Sequence, residues 1–340
     1  MRRAAIALWL AVPLAGLAQA GRVEFRWPTP NPAWAEGRSL ADYVQATASG
    51  DPESGTFGCV RSAGLQFHEG VDIKAFAHDR RGEPADPVSA AMAGVVRYVN
   101  TRAGESNYGR YIVLEHPGLT PAVYTLYAHL ARIEPDIRPG VAVEAGRVLG
   151  LMGRTEGGSS IPKDRAHVHF EIGLRMCDNF EDWYRRRGFG SPNEHGLWNG
   201  MNLMGIDPLD FLRQWRTHRV EDFQQYFDAL KPVVRVRVVT TRVPDFIERY
   251  PCLLRKPLPV GAVLVSGWEV ECDFTGLPIR WTPLTAADVA GMAFGSVRIV
   301  AVDEPAVRAH RCKSIVRLHH GSYAPGGDLE TMLQQVFGVR

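Results

Sequence analysis

The chain has 340 residues, enough for one large domain or two ordinary ones, and its 45% hydrophobic and 22% charged content is globular rather than disordered or fibrous. The net charge of +2 includes Arg2 and Arg3 of a candidate export signal, so the chain without them is neutral, which argues against nucleic acid as a partner. Gly 34 and Pro 23 together make about a sixth of the chain and favour a turn-rich, mainly β protein.

In chain order, residues 1–20 read as a signal peptide. Arg2 and Arg3 lead an apolar run from Ala4 to Leu17, and Ala18-Gln19-Ala20 is a small-x-small cleavage site. The run is short for a membrane span, so no stable span is expected after cleavage, and the mature chain would start at Gly21 in the periplasm or outside the cell. Residues 21–55 form a mixed lead-in, where Pro28, Pro30 and Pro32 interrupt regular structure and Ser39 to Ala46 reads as a short helix. From Gly58 the pattern changes to short β-branched and aromatic runs separated by Gly and Pro. Strands are predicted at Val88 to Asn100 (with a bend or bulge at Gly94), Arg110 to His116, Ala122 to His129, Val148 to Met152 and His167 to Leu174. Asn179 to Trp198 is polar and aromatic and reads as an insertion or a loop over one face. Asp207-Pro208 then starts a closing helix, with the aspartate as N-cap and proline at the first helical position.

A second unit is read over residues 217–340. Phe223, Tyr226, Phe227 and Leu230 have helical spacing. Val233 to Val243 is a strand with alternating Arg235, Arg237 and Arg242, Gly261 to Arg280 reads as strands around a Thr275-Gly276 turn, Ser296 to Val302 as another strand, and Asp328 to Phe337 as a terminal helix. The five cysteines contain no C-x-x-C pair. In an exported protein some should be bridged, and local context suggests Cys59 with Cys177 and Cys252 with Cys272.

Three segments carry chemistry. In R-A-H-V-H-F-E-I-G, His167 and His169 sit two apart in a predicted strand and so share one face. In F-H-E-G-V-D-I, Gly70 and the β-branched Val71 and Ile73 oppose a helix, but a turn and short strand would aim His68 and Asp72 at one point. His129 ends the apolar run V-Y-T-L-Y-A-H. Imidazole nitrogen and carboxylate oxygen suit zinc, and a catalytic zinc keeps three protein ligands and one open position. His68, Asp72 and one histidine of the pair would complete such a set. The other histidines (His78, His116, His195, His218, His310, His319 and His320) read as surface or structural. Glu171 reads as a salt-bridged or rim residue, with orientation of a ligand as the alternative.

The segments F-H-E-G-V-D-I, L-Y-A-H-L and A-H-V-H-F-E-I, in that order, resemble the lysostaphin/LytM-type zinc metallopeptidases. Supporting text lies in D-P-V-S-A-A-M-A-G-V-V, N-Y-G-R-Y-I-V-L-E-H and V-E-A-G-R-V-L-G-L-M-G-R-T, and the resemblance spans roughly Phe57 to Trp215. It implies a mainly β fold, with an antiparallel β-sandwich (the duplicated hybrid motif) over residues 56–216 and a smaller β-rich C-terminal domain of unrecognised type. It also implies one zinc ion held by His68, Asp72 and His169, with His129 and His167 unligated beside it as the catalytic pair. The activity implied is hydrolysis of peptide bonds in peptidoglycan cross-links or stems. Two departures surround the groove: the charged approach Glu156 to Ala166, and the long segment Phe76 to Pro87. Competing readings are a non-catalytic wall-binding regulator, as in relatives that have lost ligands, and a metallopeptidase acting on exported proteins. All five positions are filled here, which favours catalysis.

Overall fold

The computed structural model describes residues 21–258 and 264–339. The signal read at residues 1–20 lies outside them, as does the start of the strand segment read from Gly261. The lead-in carries one helical turn, α1 (Leu40–Tyr43). A hairpin of β1 (Gly58–Arg61) and β2 (Gln66–His68) follows, and then β3 (Val71–Lys74). The single strand read over Val88 to Asn100 is two: β4 (Pro87–Ser89) and β5 (Gly94–Asn100), on different sheets. The chain changes sheet over residues 90–93, the register shift of β5 falls between Val96 and Tyr98 and not at Gly94, and at Gly94 a Cβ would meet His116 Nδ1 at 2.6 Å and the Glu115 carbonyl oxygen at 2.7 Å. No side chain fits between β5 and the strand beside it.

Next come β6 (Tyr111–Glu115), β7 (Tyr124–Tyr127), the short β8 (Arg132–Ile133) and β9 (Ala142–Val143), β10 (Val148–Leu151), and the long β11 (His167–Arg175). The segment read as an insertion contains an eight-residue helix, α2 (Phe180–Arg187), before β12 (Leu203–Ile206). Phe180, Trp183 and Tyr184 are buried on one face of α2, its first turn is acidic, its last turn holds three arginines, and Gly188 caps it in the left-handed region. These are ordinary helix signals that the polar surroundings masked.

Antiparallel pairing joins β12, β11, β7, β6, β5 and β9 in that order into one sheet, with β3 also on β11. A smaller sheet orders β4, β10, β8. Its Val88 and Leu149 share a core with Val96, Ile112, Leu114, Val168 and Phe170 of the large sheet, so the two sheets bury apolar surface against each other. The fold is mainly β and antiparallel, as composition predicts.

Helix α3 (Pro208–Arg216) begins where expected, with the Asp207 carboxylate accepting from the amides of Leu209 and Asp210. The chain continues through α4 (Phe223–Ala229), β13 (Val234–Val238), α5 (Asp245–Arg249), β14 (Gly267–Cys272), β15 (Pro278–Leu284), β16 (Val297–Val302), α6 (Glu304–Ala309), β17 (Val316–His319), β18 (Ser322–Pro325) and α7 (Gly327–Phe337). Strands β15, β14, β13 and β16 form a four-stranded antiparallel sheet, and β17 with β18 a hairpin. The alternation in β13 has a simple use. Val234, Val236 and Val238 are buried, while Arg235 and Arg237 face Glu271 and Glu269 across the sheet. Among the described residues no helix is long and apolar enough to cross a membrane.

The cysteine pairing differs from expectation. The disulfide joins Cys59 on β1 to Cys312 after α6, 253 residues apart, while Cys177, Cys252 and Cys272 are free. Cys177 is buried, with its Sγ on the Asn202 side chain, and Cys272 is buried in β14. Sequence neighbourhood carries no information about which cysteines a fold brings together.

Candidate metal centre

Strand register builds the centre. On β11, His169 lies directly opposite Asp72 of β3, and His167 opposite Lys74, so the two-residue period puts both imidazoles on one face with the carboxylate beside them. His68 ends β2, and the turn through Glu69 and Gly70 returns the chain into β3. A Cβ on Gly70 would sit 2.3 Å from the Phe170 carbonyl oxygen. Glycine at this motif position therefore lets the turn press onto β11 and bring His68 to His169.

His68 Nε2 lies 3.0 Å from His169 Nδ1 and 3.1 Å from Asp72 Oδ1, and His169 Nδ1 is 3.0 Å from the same carboxylate oxygen. Three ligands each about 2.0 Å from a tetrahedral ion would stand roughly 3.3 Å apart, so this triangle is close to the right size for zinc. The outward atom of each group is anchored. His68 Nδ1 is 2.7 Å from the Thr56 carbonyl, His169 Nε2 is 2.9 Å from Glu171 Oε1, and Asp72 Oδ2 accepts from Arg61. These contacts fix which ring nitrogen turns inward. His68, Asp72 and His169 are a buried group that could hold a metal ion.

The electrostatics point the same way. Burial alone would raise the Asp72 carboxyl, but the charges of His167 and His68 and the hydrogen bonds from His169 and His68 outweigh it and hold it well below its ordinary value. Burial would lower His169, yet its bonds to Asp72 and Glu171 raise it to about 10. The two carboxylates that hold a proton on His169 would also attract a cation, which must displace that proton to bind.

His129 and His167 close the groove above this triangle, their ring centroids 4.9 Å apart. His129 follows the end of β7 with φ at +61°, a left-handed conformation unfavourable for histidine by about 1–3 kcal/mol. Its amide bonds to the Tyr108 carbonyl at 2.8 Å, and the next amide, on Leu130, to the Arg110 carbonyl at 3.0 Å, which together impose the turn. The Nδ1 atoms of His129 and His167 lie 2.8 and 2.7 Å from the carbonyls of Thr155 and Arg165, so the hydrogen-bond network assigns protons there and leaves each Nε2 as a lone pair. Burial, then the charges of His167 and His169, push His129 well below its ordinary value; burial also lowers His167, against the pull of Asp72. Both rings are thus held neutral, as proton acceptors need to be. The groove has a volume of about 530 Å³.

All five residues expected at the site meet there. Glu171 does not stand on a rim. It is 1% exposed, and it accepts from Tyr108 at 2.6 Å, Tyr124 at 2.7 Å and His169. The residues missed from sequence are Arg61, Tyr108 and Tyr124, which hold Asp72 and Glu171 in place; Tyr108 lies in the N-Y-G-R-Y-I text, the one signal that pointed near it. The two unusual segments meet where Lys163 pairs with Glu83 at 3.1 Å and donates to the Arg81 carbonyl at 3.0 Å, and Arg154, just before the second segment, also pairs with Glu83 at 2.8 Å. Replacing Glu171 with glutamine should weaken metal binding by about 10- to 100-fold with little change in melting temperature. Titration with a chromogenic zinc buffer measures it, and an unchanged affinity would remove Glu171 from any supporting role.

Residues 66–179, about a third of the chain, match peptidase family M23. The resemblance carried by the three motifs therefore holds over this segment, and the family is one of peptide hydrolases. Among solved structures, similar ones include a zinc-containing peptidase from Vibrio cholerae (23% identity over 45% of this chain and 37% of that one, TM-score 0.30). The catalytic domain of a prophage-encoded M23 protein from Enterococcus faecalis is 21% identical over 38% of this chain and 79% of that one, with a TM-score of 0.27. The catalytic domain of the antimicrobial peptidase lysostaphin from Staphylococcus simulans is 21% identical over 51% of this chain and 95% of that one, with a TM-score of 0.29. These likenesses are partial, and the chain spans just over a third of the length of the Vibrio protein. No curated protein matches.

Proposed function

We propose that this chain is an exported zinc metalloendopeptidase that hydrolyses peptide bonds in peptidoglycan cross-links or stems. The observation that carries it is the convergence of His68, Asp72 and His169 into one buried triangle with two neutral imidazoles beside it, inside the M23 segment. In this reading His68, Asp72 and His169 hold a single zinc, which when bound lowers the pKa of water to about 7 and polarises a carbonyl. The Nε2 lone pair of His129 or His167 takes the proton from the attacking water. The ring so protonated then delivers it from Nε2 to the nitrogen of the departing amine. Each ring's bond to a backbone carbonyl keeps it aimed through both transfers.

Residues 1–20 as a signal peptide, 56–216 as the catalytic domain and 217–340 as a C-terminal domain belong to the same proposal. The Cys59–Cys312 bridge supports an oxidising compartment such as the periplasm or the exterior. His129→Ala should lower the turnover rate by about 10²- to 10⁴-fold with the metal retained. A variant that digests wall as fast as the parent would end that assignment. To test the substrate, purified peptidoglycan and a panel of unfolded exported proteins are offered side by side, with and without chelator. Chelator-sensitive release from peptidoglycan alone is expected; cleavage of the proteins alone would move the target away from the wall.

A further inference from the structure

The β1–β2 hairpin brings two groups to the metal triangle: His68 ends β2, and Arg61 at the end of β1 donates to Asp72 Oδ2. Yet the hairpin is a two-stranded sheet of its own, paired with neither of the larger sheets, and a lone pair of strands is marginal in water. Its turn is also strained. Ser62, Ala63 and Gly64 follow one another at φ +51°, +56° and +84°, and the first two carry the Cβ that this left-handed region disfavours. Leu65, next in the turn, is 67% exposed, so burial at the tip does not offset that cost. A conformation of this kind persists where the surrounding structure holds it.

Much of what holds it comes from the C-terminal unit. Cys312 is bridged to Cys59 on β1. Lys313 Nζ stands 4.2 Å from the centre of the Phe67 ring, the residue just before His68, in a cation–π contact. The Phe274 ring lies 6.4 Å from Phe67 and 6.2 Å from Phe57, and Phe57 follows Thr56, whose carbonyl accepts from His68 Nδ1. Both C-terminal residues are fixed in turn. Asp328 holds Lys313 at 3.4 Å and accepts from the Ser314 amide, while Asp273 accepts from the amides of Thr275 and Leu277 and so closes the turn that carries Phe274. Phe274, Cys312 and Lys313 all lie outside the matched residues 66–179.

We propose that Lys313 and Phe274 are positioning residues for the metal centre: they clamp the β1–β2 hairpin so that His68 and Arg61 stay where the triangle needs them. The proposal rests on the zinc reading above and gives the C-terminal unit a task, that of setting the metal affinity. Ligands already held in place need no ordering when the ion arrives, whereas a loosened hairpin must be ordered at the expense of binding. The effect on the ion passes through His68 and through the hold of Arg61 on Asp72, since neither Lys313 nor Phe274 is among the ligands.

The test is a competitive zinc titration of the full chain against a chromogenic chelator, with a thermal melt on each sample. Lys313→Ala and Phe274→Ala should each bind zinc about tenfold more weakly than the parent, as loss of a supporting contact does. Val236→Ala, a cavity in the buried face of the C-terminal sheet, should melt earlier with its zinc affinity unchanged. Lys313 is only half-buried, so Lys313→Ala decides the matter alone where Phe274→Ala does not fold. Parental zinc affinity in the folded Lys313→Ala protein would overturn the proposal. So would a loss in Val236→Ala as large as that in Lys313→Ala, because general destabilisation would then explain both. Peptidoglycan release is assayed on the same samples. A parent whose zinc affinity depends on Lys313 but which releases nothing keeps the clamp and loses the peptidase, and one that binds zinc and releases peptide regardless of Lys313 does the reverse.

Discussion

His169→Ala is expected to abolish both metal retention and hydrolysis while leaving the protein folded. The loss should exceed the roughly 10- to 100-fold that removal of a supporting contact produces, because on the proposed reading His169 is itself a ligand. The position is central for a geometric reason. His169 Nδ1 faces both His68 and Asp72, and its Nε2 is fixed by Glu171. The fold should survive because the partners left behind are not orphaned: Glu171 keeps the hydroxyls of Tyr108 and Tyr124, and Asp72 keeps Arg61. Elemental analysis after dialysis, with a thermal melt on the same sample, separates a lost ligand from a lost fold. A folded variant that still retains metal and digests wall would remove His169 from the centre.

Loss of the Cys59–Cys312 bridge carries the largest expected change in stability. A cross-link spanning 253 residues restricts the unfolded chain by about 5 kcal/mol on the loop-entropy account, comparable with the total stability of many domains. Part of that is replaced by contacts that stay. Phe57, Phe67 and Phe274 pack ring to ring with centroids 5.1 to 6.4 Å apart, and Phe274 stacks on His310 at 3.8 Å. Cys312→Ser should therefore lower the denaturant midpoint strongly, and Cys59→Ser with Cys312→Ser together should cost no more than either alone. The site should feel the change too, since β1 pairs with β2, which carries His68. A midpoint within error of the parent would mean the bridge constrains nothing that matters.

The five residues that meet in the groove stood out because each lies in a short segment whose local chemistry is unusual for a strand or turn. What the segments do together depends on register, and register is not written locally. Asp72 faces His169 because β3 pairs antiparallel with β11, two strands 97 residues apart at that point. The burial of Glu171 was missed for the same reason, although its pairing was expected. On its own strand it is one carboxylate among ordinary neighbours, and the tyrosines that bury it lie 63 and 47 residues away. His129 looked like the end of a strand and is instead a left-handed turn imposed by bonds to Tyr108 and Arg110. Helix α2 was readable in principle from Phe180, Trp183, Tyr184 and Gly188, yet its polar composition suggested a loop. The strand period of β13 and the Asp207-Pro208 helix start were read correctly because one residue of context suffices for each.

Mass-spectrometric identification of the bond cut in purified peptidoglycan tests the central claim most directly. The account predicts new amine and carboxyl termini within peptide cross-links or stems, formed by the zinc-loaded protein, absent after chelation and restored by added zinc. Fragments produced by cleavage of sugar linkages, or peptide cleavage that persists after the metal has been removed, would contradict it.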